Sequence, residues 1–104
     1  MNDKMRWEAR AAILKALAHP SRLMIVDELS RGEACVADLT SLVGSDVSTV
    51  SRHLGVLKNA GLLTMDKRGA QVFYALKVPC VLNFFSCVES VLNADVQETI
   101  EAVG

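Results

Sequence analysis

Short hydroxyl side chains followed by cationic and titratable ones occupy residues 45–63, SDVSTVSRHLGVLKNAGLL. Apolar residues recur there at spacings of three and four, which on a helix places on one buried face Val47, Val50, Leu54 and Leu57. The other face would present Ser48, Thr49, Ser51, Arg52 and His53. Short polar side chains let a helix approach a DNA groove closely, and an arginine can donate two hydrogen bonds to guanine. The pattern predicts a DNA recognition helix, for which an ordinary solvated helix is the alternative.

A hairpin with a basic tip is predicted directly after this helix. The sequence TMDKRGAQVFYAL contains two short runs that favour β-structure around Lys67 and Arg68, and Gly69 can adopt a positive φ. A helix followed by such a hairpin is typical of a winged helix. The residues predicted to contact double-stranded DNA are Ser45, Ser48, Thr49, Ser51, Arg52, His53, Lys67, Arg68 and Gln71.

Three helices are predicted to precede the recognition helix and to position it. The first covers residues 4–18, and the second begins at Pro20, which suits the first turn of a helix, and ends near residue 29. His19 is expected to cap or pack against this second helix. The third begins after Cys35, which stands at an N-cap position, and ends at Gly44. The third helix, a turn and the recognition helix make a helix-turn-helix.

A final helix is predicted over residues 79–93, PCVLNFFSCVESVLN, with apolar residues over more than half of its circumference. Such a face needs a partner, which in so small a domain would be a second copy of the chain, joined through the first helix. The alternative is that this helix only closes the core of one subunit. Trp7 is expected to pack at the same dimer interface. The predicted fold is mainly α with a small β-hairpin, a winged helix-turn-helix of order α-α-α-α-β-β-α that forms a homodimer.

Length and composition limit the class of protein. The chain has 104 residues, enough for one domain with a cooperative core, expected to span residues 1–104. No apolar run approaches the roughly 20 residues that span a bilayer, and the N-terminus lacks the apolar region of a signal peptide. We therefore expect a cytoplasmic protein with reduced thiols and no membrane partner. Neither a catalytic arrangement of carboxylates, serine and histidine nor a phosphate-binding glycine loop is present, which argues against an enzyme.

The net charge of the chain is the main argument against a DNA-binding function. The formal net charge is −1 and the isoelectric point is about 6.1, whereas a DNA-binding domain is usually basic. Residues 45–71 contain four cations, Arg52, Lys58, Lys67 and Arg68, against two carboxylates, and residues 72–104 contain one lysine and four carboxylates. Positive charge is therefore concentrated near the predicted DNA surface, although non-specific binding should be weak.

Four segments in order, AHPSRLMIVDEL, GEACVADL, STVSRHLGVLKNAGLL and GAQVFYAL, resemble the ArsR/SmtB family of metal- and metalloid-responsive repressors. The resemblance covers nearly the whole chain, and STVSRHLGVLKNAGL is its most specific segment. It implies a winged-helix homodimer, paired through its first and last helices, that represses an operon until an inducer binds.

The cysteines indicate the class of inducer within this resemblance. Arsenic-sensing members often carry Cys-Val-Cys-Asp-Leu at the start of the third helix, where this chain has CVADL from Cys35. The last helix has no histidine, which disfavours the zinc site of other members, and it carries Cys80 and Cys87. Three thiols suit a soft ion, so the implied metal ligands are Cys35, Cys80 and Cys87. The implied inducer is arsenite, As(III), or another thiophilic ion such as Cd or Pb, and no resident cofactor is required.

Helix geometry limits a single site, since residues 80 and 87 of one helix would lie about 10 Å apart along its axis. Pro79 would allow Cys80 to lie at or just before the start of the helix, and separate sites are the other possibility. Three readings stay open beside ion sensing. The cysteines could be small buried apolar residues, the same repressor could be switched by thiol oxidation, or the module could bind protein. The cations Arg52, Lys67 and Arg68 disfavour the last.

Overall fold

The computed structural model describes the backbone of residues 2–103 and the side chains of residues 2–94. Its elements follow the predicted order, with one additional short strand before the third helix. They are α1 (Asp3–Leu17), α2 (Pro20–Leu29), β1 (Ala34–Cys35), α3 (Val36–Val43), α4 (Val47–Asn59), β2 (Leu63–Arg68), β3 (Gln71–Leu76), a 3₁₀ turn (Pro79–Leu82) and α5 (Asn83–Val103). The fold is a winged helix-turn-helix, mainly helical with a small antiparallel sheet, as predicted.

Capping side chains fix where α2 and α4 begin. The carboxylate of Asp46 accepts a hydrogen bond from the Thr49 amide at 2.7 Å and caps α4. His19 caps α2, because its Nδ1 accepts a hydrogen bond from the Ser21 amide at 3.0 Å. The end of α3 is equally well defined, since Gly44 adopts the left-handed conformation at φ 77°. The predicted bounds of these helices are confirmed.

The core lies between α2, α3, α4 and the sheet. Its fully buried larger side chains are Ile25, Val26, Leu39, Val50, Leu54 and Leu57. The predicted buried face of α4 is confirmed except at Val47, whose side chain is 58% exposed. Val47 is the first residue of α4 and lines an open cleft with Cys35 and Val72 instead of the core.

The wing is the hairpin of β2 and β3, and β1 pairs with β3 and so joins the wing to the body of the fold. The three antiparallel strands lie in the order β1-β3-β2. Pairing in the hairpin extends to Arg68 and Gln71, and Gly69 makes the turn at φ 62°. β1 adds two pairs to β3, one of which joins Cys35 to Phe73. The sequence does not predict β1, because two residues are too few to show a periodicity.

The terminal helices leave many apolar side chains exposed. The radius of gyration is 16.5 Å, against about 13 Å for a compact chain of this length. The exposed apolar residues of α1 and α5 include Met5, Trp7, Ile13, Leu14, Phe84, Val88, Val91 and Leu92. An apolar cleft of about 540 Å³ lies between α1, α2 and α5. No helix in the described part of the chain is long and apolar enough to cross a bilayer.

The last helix differs from the prediction at both ends. Residues 79–82 form a 3₁₀ turn in which the Val81 amide donates to the Val78 carbonyl, and α5 continues from there to Val103. Val81 is buried and Phe85 is half-buried against the core, whereas Val88 lies on the exposed face. The apolar residues of this segment therefore serve two surfaces, one inside the subunit and one open to solvent.

Candidate nucleic-acid interface

The exposed face of α4 carries the polar residues predicted to contact DNA. Ser48, Ser51 and Arg52 are exposed, and Thr49 is half-buried. They face outward because the apolar residues on the opposite side of α4 pack into the core. No described residue forms an ion pair with Arg52, so its guanidinium can donate two parallel hydrogen bonds to a base.

A negative charge stands at the N-terminus of α4. The Asp46 carboxylate accepts hydrogen bonds from the Thr49 amide at 2.7 Å and from the Ser48 hydroxyl at 3.0 Å. These hydrogen bonds, that of the amide above all, hold the pKa of Asp46 below its ordinary value. One of the amides that could bind a phosphate at this helix end is therefore already occupied by the cap. The side-chain chemistry on this face is that of the hydroxyl groups and Arg52.

His53 does not belong to this face, and its prediction as a DNA contact is wrong. Its side chain is only 4% exposed and packs inward from α4. The Nε of Arg22 donates a hydrogen bond to His53 Nδ1 at 3.0 Å, and the ring of His19 lies 4.4 Å away between centroids. Burial, followed by the neighbouring charges of His19, Arg22 and Arg52, lowers the pKa of His53.

The spacing of the apolar residues contains the signal for this burial. His53 lies three residues after Val50 and four before Leu57, which is the interval that defines the buried face of α4. The partner Arg22 is 31 residues away in the sequence, so the hydrogen bond itself has no local signal. A histidine whose polar atoms find a partner can occupy a core position at little cost.

We predict that acidification destabilises the fold through His53. Its pKa is lower in the folded state than in the unfolded state, so the stabilisation by neutral His53 is complete above about pH 6.5 and is lost as the pH falls below it. His53→Asn keeps an oxygen acceptor near the position of Nδ1 and cannot titrate. Denaturant unfolding at about pH 7.5 and about pH 5.5 should show a smaller acid loss in this variant than in the parent. Equal acid losses in His53→Asn and the parent would contradict the assignment.

All three predicted residues of the wing are exposed, and one of them, Arg68, is held in an ion pair. Lys67 and Gln71 are exposed, and Gln71 shares a cleft with Ser51 of α4. Ser45 is half-buried in the turn between α3 and α4. Arg68 instead donates to the two oxygens of Glu33 at 2.6 and 2.9 Å. The sequence gives no indication of this contact, because the two residues lie 35 positions apart.

The three cysteines lie in different environments. Cys35 is buried at the N-cap of α3 and makes no capping hydrogen bond with its side chain. Cys80 lies in the 3₁₀ turn before α5, as Pro79 allows, and Cys87 lies on α5; both are exposed. Within the described part of one chain, no three residues of the Cys, His, Asp and Glu types are close enough to hold one metal ion. A site using all three thiols would need a second subunit or a rearrangement.

The chain is similar to known bacterial regulators. The profile of bacterial regulatory proteins of the arsR family matches residues 19–64. The transcriptional regulator NmtR of Mycobacterium tuberculosis is 46% identical over 66 residues, which cover 64% of this chain and 55% of NmtR. A homologue of the cadmium resistance regulatory protein CadC from Staphylococcus aureus is 40% identical over 67 residues, with 64% and 55% coverage. The matched segment thus spans little more than half the length of these relatives.

Other similarities cover nearly the whole chain. The uncharacterised helix-turn-helix regulator Rv0081 of M. tuberculosis is 30% identical over 93 residues, which cover 88% of this chain and 82% of Rv0081. The solution structure of Mb0332 from Mycobacterium bovis, a homodimeric winged helix-turn-helix DNA-binding domain, superposes with a TM-score of 0.76 at 28% identity. That superposition covers 94% of this chain and 93% of the Mb0332 fragment. These relatives are regulators of transcription and not enzymes.

Proposed function

Because this chain belongs to the arsR family of bacterial regulatory proteins, we propose that it represses transcription by binding operator DNA as a homodimer. The observation that carries the proposal is the outward face of α4. Ser48, Ser51 and Arg52 stand there in solvent on a helix that the core holds rigidly, with the exposed Lys67 on the neighbouring wing. This is the arrangement with which a helix-turn-helix reads the major groove.

Each proposed contact has a distinct task. Arg52 donates to a base edge and contributes sequence discrimination, while Ser48, Thr49 and Ser51 let the helix approach the groove and bind bases or backbone. Ser45, Lys67 and Gln71 contact the phosphate backbone around it. With a net charge of −1, few phosphates are neutralised by each subunit, so non-specific binding is weak and the affinity depends on two subunits acting together.

The proposed dimer forms through α1 and α5. Three of their exposed apolar side chains, Leu14, Phe84 and Val88, line the cleft of about 540 Å³, and a second copy of the same surface would cover them. Such a two-fold arrangement sets two copies of α4 about one turn of DNA apart. Mb0332, which has the same fold, is a homodimer in solution.

Operator selection tests this function directly. The protein should enrich a palindromic sequence from a random duplex library, with half-sites centred about 10 base pairs apart. It should then protect the corresponding site near a gene of its source genome in a footprinting experiment. It should also reduce transcription of that gene in vitro. Recovery of random sequences would mean that the exposed face of α4 does not read bases.

We further propose that a thiophilic ion, arsenite in the first place and Cd or Pb otherwise, releases the repressor from DNA. Cys80 and Cys87 are exposed on the segment proposed to join the subunits, and Cys35 begins the helix that packs beside α4. An ion that joins thiolates across these regions favours one placement of the two α4 helices, and linkage requires it to bind more weakly to the operator complex. A 100-fold difference corresponds to about 2.7 kcal/mol.

Cys80→Ser and Cys87→Ser are expected to bind operator like the parent but to remain bound when arsenite is added. Cys35→Ser should show the same defect, because the thiolate that would contact the ion is missing in each case. Fluorescence anisotropy of labelled operator in the presence of a phosphine reductant measures the release, with Zn as the control ion. A thermal unfolding curve shows whether the buried Cys35 position tolerates serine.

Two results would contradict the proposal that a thiophilic ion is the inducer. Release of the Cys80 and Cys87 variants at the arsenite concentration that releases the parent would show that these thiols take no part in sensing. Release of the parent by the thiol oxidant diamide, without release by arsenite, Cd or Pb under reducing conditions, would instead show a redox switch in the same fold.

A further inference from the structure

Each of the three guanidinium nitrogens of Arg68 donates a hydrogen bond to a carboxylate of the protein. Its two terminal nitrogens donate to the carboxylate oxygens of Glu33 at 2.6 and 2.9 Å, and its Nε donates to Asp66 at 2.8 Å. The same group lies 4.6 Å from the centre of the Phe73 ring. Two carboxylates therefore surround one cation, and the cluster carries a net charge of −1. A phosphate that approaches Arg68 therefore meets a cluster of net negative charge, which attracts it less than a free arginine would.

The strand register shows what this cluster spans. Asp66 pairs with Phe73, and Phe73 pairs with Cys35, so these residues share one face of the sheet. Arg68 lies two residues after Asp66, and Glu33 two residues before Cys35, so both belong to the same face by alternation. The Arg68 side chain thus extends over all three strands, from the tip of the hairpin to the segment before β1. Lys67, one residue from Arg68, belongs to the opposite face.

The wing has few other connections to the body near its tip. β1 contributes only two residue pairs to β3, and a hairpin of two strands is only marginally stable by itself. The bidentate pair between Glu33 and Arg68 adds a fixed geometry to this junction, because both oxygens and both terminal nitrogens are engaged. Arg68 also holds the pKa of Glu33 below its ordinary value, so the pair is charged at neutral pH.

We infer that Glu33 is a positioning residue for DNA binding, which holds the wing at a fixed angle through Arg68, and that Lys67 is the cation of the wing that contacts phosphate. The inference rests on the proposed function and differs from the sequence prediction for Arg68. Arg68, although exposed, bonds here to the protein's own carboxylates, and the phosphate contact falls to the neighbouring lysine on the other face.

Glu33→Gln separates the positioning role from simple electrostatics, because the two predict opposite signs. Removing a negative charge near DNA should strengthen binding if only charge matters. If Glu33 positions the wing, the neutral variant should bind selected operator several-fold more weakly, since the wing must then be ordered on binding. Glu33→Asp keeps the charge and should recover part of the lost affinity. Glu28→Gln, which removes an α2 carboxylate from its exposed pair with Arg31, is the matched control and should bind like the parent.

The salt dependence of operator affinity identifies the phosphate contact. Lys67→Ala should reduce the slope of log affinity against log salt by about one unit, whereas Glu33→Gln should leave the slope unchanged. Tighter binding of Glu33→Gln with a slope steeper by about one unit would show that Arg68 is a masked phosphate contact and would overturn the inference. Equal affinity of Glu33→Gln and the parent would show that the ion pair of Glu33 and Arg68 has no role in DNA binding, and it would contradict the inference.

Hydrogen exchange without DNA provides a second measurement that does not depend on the proposed function. The amides of residues 66–72 should exchange faster in Glu33→Gln than in the parent, while those of α4 remain unchanged. Unchanged exchange in the wing would contradict the positioning role. If the parent binds no selected DNA, the proposed function fails, but the exchange rates still decide whether Glu33 holds the wing.

Discussion

Val88→Glu is expected to convert the protein to monomers and to abolish operator binding. Val88 is 53% exposed in the subunit and lines the apolar cleft between α1, α2 and α5. In the proposed dimer the partner covers it, and a buried charge without a counter-ion costs about 3–5 kcal/mol, which weakens association by more than about a hundredfold. Because Val88 does not belong to the core of the subunit, the fold should survive. The loss of DNA binding follows because one subunit offers only one copy of α4.

Sedimentation equilibrium measures the mass in solution, circular dichroism shows that the fold is intact, and fluorescence anisotropy of labelled operator measures the loss of DNA binding. Ser90→Glu introduces the same charge two residues later, on a different side of α5, and should remain dimeric. Phe85 is unsuitable for this test although the sequence groups it with Val88, because it is half-buried against the core and a charge there would unfold the subunit. A folded Val88→Glu protein with the parent's mass in solution would place the dimer interface elsewhere.

Arg52→Ala is expected to lose about 1–3 kcal/mol of operator binding and to relax discrimination at one base pair of each half-site. Arg52 is exposed on α4 and has no ion-pair partner among the described residues, so its guanidinium N–H groups are available to donate to a guanine. Arg52→Lys is the matched control, because it keeps the charge and removes the two parallel hydrogen bonds.

Binding of each variant to the selected operator and to operators with single base changes measures this prediction. Arg52→Lys should lose discrimination at the same base pair while its salt dependence stays that of the parent. Arg52→Ala should show the same lost discrimination with a larger loss of affinity, and its salt slope should stay that of the parent, because Arg52 contacts a base and not a phosphate. If both variants discriminate among the altered operators as well as the parent does, Arg52 does not read a base.

Local sequence signals account for most of the helical framework. Asp46 caps α4, Gly44 ends α3, and Gly69 makes the turn of the wing, each because the side chain or its absence suits the backbone at that point. The buried stripe of α4 follows from spacings of three and four. The same spacing includes His53 and so predicts that it is buried. The chemistry of a titratable side chain instead favours the DNA-contacting face of α4, and that prediction is wrong.

Contacts between distant residues account for what the sequence does not predict. The pairing of Cys35 with Phe73 and the bidentate ion pair of Glu33 and Arg68 join segments more than 30 residues apart. Neither leaves a periodicity or a turn signal, because both depend on how the hairpin folds back over the body. The same limit applies to the cysteines, whose types indicate a soft ligand, whereas a site that uses all three would need a second subunit or a rearrangement.

Titration of a selected palindromic duplex tests the central claim most directly. Labelled operator at about 150 mM salt is titrated with protein twice, well above the dissociation constant for the stoichiometry and well below it for the affinity. The same titrations are done with a duplex of scrambled sequence. A homodimeric operator-binding repressor predicts saturation at two chains per duplex and an affinity for the operator at least about a thousandfold above that for the scrambled sequence. Equal affinity for both duplexes, or saturation at one chain per duplex, would contradict this account.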